Sequence, residues 1–201
     1  MIRTRALIAT ALLLAGCGEQ PPSVLDTEAA QAKAVKALRG WDRVFAAPRD
    51  AVGAANQFGF AAAAYAASGT TPAYRASGKP VMMSSSYAKA PNSATFTLTG
   101  AKADMADRAQ FTLTITDPAD IATARKRFGQ LVGDWLARFD IKDRDGVTQA
   151  IATGSDVDGL TDGAPASVDF TPVGSAMPTR IDVTFTRPEG STPDTSKTRG
   201  Q

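Results

Sequence analysis

The chain has no histidine and a single cysteine in 201 residues. The first absence removes, together, the commonest general base, the side chain that switches charge near neutral pH and the commonest metal ligand. The second excludes a disulfide within the chain. An excess of charge is missing too. The formal net charge of +2 comes from Arg3 and Arg5, and the rest of the chain carries 20 basic and 20 acidic residues. That balance speaks against nucleic acid as a partner, because phosphate binding leans on clustered Lys and Arg. No run of residues suits a membrane-crossing helix, which needs about 20 apolar residues. The stretch from Ala6 to Leu14 is far shorter and holds Thr10. An Ala-rich span after Pro48 would have to bury Arg49, Asp50, Asn56 and Gln57.

What is present at the start is an address. Arg3 and Arg5 precede the apolar run Ala6 to Leu14, and small residues follow it, the pattern of an export signal. No Ala-x-Ala triplet lies between Ala11 and Gln20; the run ends instead in Leu14-Ala15-Gly16-Cys17. This tetrapeptide resembles the lipobox of bacterial lipoproteins, which carry Leu, two small residues and Cys in that order. The resemblance covers the first 17 residues. It implies cleavage before Cys17, a diacylglyceryl thioether on the Cys17 sulfur and often a third acyl group on its amine. Two or more chains are what stable anchoring takes, since one acyl chain binds only marginally. Gly18 stands where an Asp would retain such a protein at the inner membrane of enteric bacteria. The expected location is therefore the cell envelope, lipid-anchored and facing the periplasm, with the outer membrane favoured.

The expected organisation is a signal peptide over 1–16, a lipidated cysteine and short tether over 17–24, a single domain over 25–187 and a disordered tail over 188–201. Cleavage before Cys17 would leave 185 residues, the size of one domain. The stretch from Glu19 to Val24, with Pro21-Pro22, reaches only about 20 Å at ~3.5 Å per residue. After Pro188 there is almost no apolar residue, a composition that cannot build a core.

Within the domain, Val35, Leu38, Trp41 and Phe45 recur at helical spacing and predict a helix over Leu25 to Ala47. Pro48 ends it and can open a second helix over Arg49 to Ala67, rich in Ala and closed by Gly69. Ser68 to Lys79 reads as loop, and Pro80 to Tyr87 as a weakly patterned strand. Thr95 to Thr99 and Phe111 to Thr116 alternate strictly between β-branched or aromatic partners, the mark of strands with one wet face. Asp117-Pro118-Ala119-Asp120 supplies an N-cap, an N1 proline and an acid at N3. The helix it opens carries Ile121, Ala124, Phe128, Leu131, Val132, Trp135, Leu136 and Phe139 on one face, the expected cover of the sheet. Asp140 to Ala164 holds Asp-Gly turns and a helical turn near Val147 to Ile151. Ala166 to Phe170 and Arg180 to Thr186 complete the strands. The fold expected is α+β, in the order ααβββαββ, with an N-terminal helical hairpin and an antiparallel sheet of four to five strands under one long amphipathic helix.

Chemistry is sparse. Ser86-Tyr87-Ala88-Lys89 has the Ser-x-x-Lys spacing of acyl enzymes, but it trails a strand and runs into Pro91, which disfavours the helix that would bring Lys89 back to Ser86. The Asp clusters at Asp140, Asp143, Asp145 and at Asp156, Asp158 invite calcium. Aligned on Gly146, however, an EF-hand would need acids at Ile141 and Ala152, and on Gly159 at Gly154 and Pro165. Turn chemistry accounts for Asp-Gly without a metal. Arg125, Lys126 and Arg127, with Arg138, Lys142 and Arg144 downstream, form a possible surface for lipid headgroups or an anionic polymer. A face of Thr95, Thr97, Thr99, Thr112, Thr114, Thr116, Thr184 and Thr186 could meet a partner or simply express β propensity. These features assign Cys17 as the lipidation site and no catalytic, cofactor or metal residue. They point to a non-catalytic envelope lipoprotein that binds or scaffolds another envelope component. The alternatives are a small-ligand or lipid carrier with a cavity between helix and sheet, and a hydrolase working without histidine.

Overall fold

The computed structural model of the chain describes residues 23–25, 29, 33, 37–84, 90–144, 146–172 and 178–190. Two compact units are present, residues 1–34 and 35–201. In the first, Val24 and Leu25 are helical and exposed. The second is α+β: its described residues include four helices from Gly40 on and one antiparallel sheet of eight strands.

The single helix expected over Leu25 to Ala47 is interrupted. Leu38 and Arg39 are not helical, and α1 starts afresh at Gly40–Ala46. Gly40 has φ of +53°, a conformation that costs glycine little and other residues more. The break turns Trp41 and Phe45 into the core, where Trp41 meets Phe185 at 5.1 Å between ring centroids. Helix α2 (Pro48–Gln57) starts on proline as expected but ends ten residues before Ala67. Gly59 leaves it with φ of +91°. Asn56 then clasps Ala62, accepting from its N–H at 2.6 Å and donating to its C=O at 3.2 Å. That holds Ala61 to Ala64 out of a helix, with Ala61 at a φ of +45°, and drops Phe60, fully buried, against Phe96 and Phe111. Burial of one large ring thus overrides the helix propensity of the four alanines that follow it.

The sheet order is β1-β2-β4-β5-β8-β7-β6, with β3 paired to β4. The short strands β1 (Ala66–Ala67) and β2 (Tyr74–Ser77) fall in the expected helix and loop, and β3 (Val81–Met82) is a remnant of the expected strand over Pro80 to Tyr87. Strands β4 (Ser93–Gly100) and β5 (Arg108–Thr114) form the expected alternating pair, with Phe96 opposite Phe111. Strand β6 (Val157–Thr161) is an addition. Its Asp and Gly are poor strand formers, yet Asp162 and Gly163, both at positive φ, turn it into a hairpin with β7 (Ala164–Pro172). Strand β8 (Pro178–Thr186) lies between β5 and β7.

One sheet face is the core side. Ala94, Phe96 and Leu98 from β4, Ala109, Phe111 and Leu113 from β5, and Ile181, Val183 and Phe185 from β8 are all buried there. Asp117 accepts from the Ala119 N–H and starts a short 3₁₀ turn, Pro118–Asp120, that leads into α3 (Ile121–Ala137). Helix α3 buries the expected face, with Trp135 reaching Phe96, Phe111, Phe139 and Phe185. The space between helix and sheet is therefore filled by aromatic rings. Helix α4 (Val147–Thr153) lies against α3.

Candidate functional site: a groove between two helices

Two glycines set the geometry. Gly129 and Gly133, one turn apart on α3, face α4: a Cβ on Gly129 would lie 3.5 Å from the Thr148 carbonyl oxygen, and one on Gly133 would lie 3.2 Å from the Thr148 methyl. Glycine inside a helix costs roughly 1 kcal/mol relative to alanine, and here the return is close approach of the second helix. Beside that contact runs an open groove of about 610 Å³, lined by α3 from Ile121 to Asp134 and by Thr148 and Ala152 of α4. Thr148 turns its methyl to α3 because its hydroxyl donates to Asp143.

Two cations of the basic run enter this groove, Arg125 and Lys126. The third does not. Arg127 donates to the Ser84 carbonyl instead, so the sequence patch is divided between two jobs. Arg138, Lys142 and Arg144 are exposed and do not line the groove. Arg125 holds its guanidinium 5.4 Å from the centroid of the Phe170 ring, within cation–π range. Gly154 also lies against it, where a Cβ would come within 2.7 Å of Arg125 Nη1. Arg125 Nε is buried without a hydrogen-bond partner.

No family model, curated protein or solved structure matches the chain. The site is therefore read from its own residues.

Cys17, Ser86, Lys89 and Asp145 lie outside the described residues. Among the described residues nearby, the Asn92 N–H donates to Ser84 Oγ at 2.8 Å, and buried Asn92 accepts from the Thr116 and Asp117 N–H groups. Asp143 is a helix cap. Its two carboxylate oxygens accept from the Val147 and Thr148 N–H groups at 2.8 Å each and from the Thr148 hydroxyl. Asp156 accepts from the Phe170 N–H at 2.9 Å. Among the described residues no cluster of three or more His, Cys, Asp or Glu is placed to hold a metal ion.

The threonine face is real as geometry. The register aligns Thr95 with Thr112 and Asp182, and Gln110 with Thr97 and Thr184. Its polar hub is Asp182, which accepts from Thr112 at 2.6 Å, Gln110 at 2.8 Å and Arg180 at 2.9 Å. Burial alone would raise the Asp182 pKa, but the hydrogen bonds from Arg180, Thr112 and Gln110, with the charge of Arg180, outweigh it and hold the carboxyl below its ordinary value. These groups satisfy one another.

Sequence reasoning found Arg125 and Lys126 but missed Gly129, Gly133, Gly154 and Phe170 as their setting. The legible signal was a pair of glycines four apart inside the strongest helix of the chain, where propensity alone would exclude them.

Proposed function

We propose that this chain is a lipid-anchored protein of the bacterial envelope, fixed through Cys17 and facing the periplasm, that binds or scaffolds another envelope component without catalysing a reaction. The observation that carries this is the sequence Leu14-Ala15-Gly16-Cys17 behind a basic and then apolar leader. The use of polar side chains in the second unit supports the non-catalytic part. Asp143 caps α4, Asn92 ties the backbone at Thr116 and Asp117, Asp182 knits the sheet face, and Asp107 pairs with Arg187 at 2.9 Å. Each is engaged in holding the fold. Among the described residues no helix is long and apolar enough to cross a membrane, so attachment to one would fall to the lipid.

A carrier role is the second reading, and the groove between α3 and α4 favours it. The helix–sheet interface offers no such room, since Trp135 and four phenylalanines occupy it.

Metabolic labelling with palmitate tests the anchor. The wild-type chain should incorporate label and fractionate with membranes, and Cys17→Ser should do neither. Equal labelling of the two would end the proposal.

A further inference from the structure

We propose that the groove between α3 and α4 binds a single-chain, phospholipid-derived amphiphile, its anionic phosphate on Arg125 and Lys126 and its chain along Gly129 and Gly133. The head site rests on Arg125. Its guanidinium rests against the Phe170 ring and the bare backbone of Gly154, its Nε is buried and unpaired, and Lys126 lines the same groove. Asp134, the acid on this groove, lies nine residues further along α3, about 13 Å at 1.5 Å per residue. A planar cation that is held in place, partly desolvated and in no ion pair among the described residues suits a phosphate oxygen pair.

The tail site rests on what lies beyond. From the cations onward the floor is Gly129, Gly133, the methyl of Thr148 and Ala152, a trough with no large side chain in it. Gln130 and Asp134 are exposed and form a wet rim. One flexible chain fits that shape, and a volume of about 610 Å³ falls within the range of small-molecule sites. The proposal rests on the envelope reading for one thing only, the source of the ligand: an anchored domain works beside phospholipid.

The full chain carrying Cys17→Ser is titrated with lysophosphatidylglycerol below its critical micelle concentration, by calorimetry and by amide chemical shifts. Saturable binding with shifts at residues of α3 and α4 is expected. Arg125→Gln should weaken it at least tenfold, the order expected for loss of a charge-assisted hydrogen-bonded pair. Ala152→Trp, at an exposed position, should abolish binding by filling the trough while the thermal midpoint stays put. If Arg125→Gln does not fold, Lys126→Gln with Ala152→Trp carries the same test. Equal binding of lysophosphatidylcholine would overturn the anionic head, and equal binding of inorganic phosphate would overturn the tail. Unchanged affinity in both groove variants would overturn the site. Failure of binding with normal palmitate labelling at Cys17 sinks the groove alone, whereas binding without labelling removes the anchor and leaves the groove.

Discussion

The indole of Trp135 stands edge-on to the ring of Phe111, with centroids 5.1 Å apart and planes at 71°. This contact is where α3 meets the centre of the sheet, and Phe96, Phe139 and Phe185 complete the ring cluster. The geometry is favourable for aromatic pairs, but the indole N–H is buried without a hydrogen-bond partner. Two terms therefore oppose each other at one residue. Trp135→Ala opens a cavity and should cost about 3–5 kcal/mol. Trp135→Phe also removes the unsatisfied N–H, whose burial costs about 1–3 kcal/mol, so its net loss should be well under half that of alanine. Urea unfolding of the two variants measures the difference, and equal midpoints would show that neither the retained ring nor the removed N–H recovers stability at the site.

The sequence revealed those elements whose local signal and tertiary role agree. The strict alternation of β4 and β5, and the Asp117-Pro118 start of α3, are such cases, because periodicity and burial select the same residues. Where the two conflict, tertiary burial wins. Ala61 to Ala64 favour a helix, yet Phe60 belongs in the core and Asn56 holds the Ala62 backbone outside one. Strand β6 was hidden for the opposite reason: Val157 to Thr161 has little strand propensity, and its pairing comes from a two-residue turn. The groove was half legible. Charge marks Arg125 and Lys126 in any sequence, but the division of Arg127 away from them depends on the Ser84 carbonyl, a partner 43 residues distant.

A pH dependence follows from the sheet face. Asp182 lies directly opposite Asp169 across the β7–β8 pair, a repulsive arrangement relieved by two contacts from Arg180, the closer at 2.6 Å. With its folded pKa below the unfolded value of 3.8, Asp182 contributes stability that is present above about pH 4. That contribution is lost as pH falls through the folded pKa. Asp182→Asn should therefore cost about 1.5–3 kcal/mol at neutral pH, on the scale of a hydrogen bond to a charged group. The gap between variant and wild type should close on acidification. Chemical denaturation at neutral pH and near pH 3 checks the sign, and a constant gap would mean that the carboxylate charge is immaterial.

The alkaline side has its own marker in Tyr65. Its hydroxyl donates to the Met105 carbonyl at 3.0 Å, and its ring pairs with Tyr74 at 6.0 Å. Gly100 makes room for the hydroxyl, since a Cβ there would lie only 2.4 Å from it. Burial, with the negative charge of Asp107 and contributions from Tyr74 and Asp104, raises the Tyr65 pKa to about 12. The neutral phenol is thus favoured in the folded chain. Its contribution is complete below the ordinary tyrosine value of 10.0 and fades as pH climbs from there toward 12. Tyr65→Phe should lose about 0.5–1.5 kcal/mol below pH 10, the net worth of one hydrogen bond, and less above it. Phenolate absorbance should show one tyrosine titrating late in wild type and missing from the variant. A Tyr65→Phe chain that keeps the late-titrating signal would assign that signal to another tyrosine and break the link between Met105 and alkaline stability.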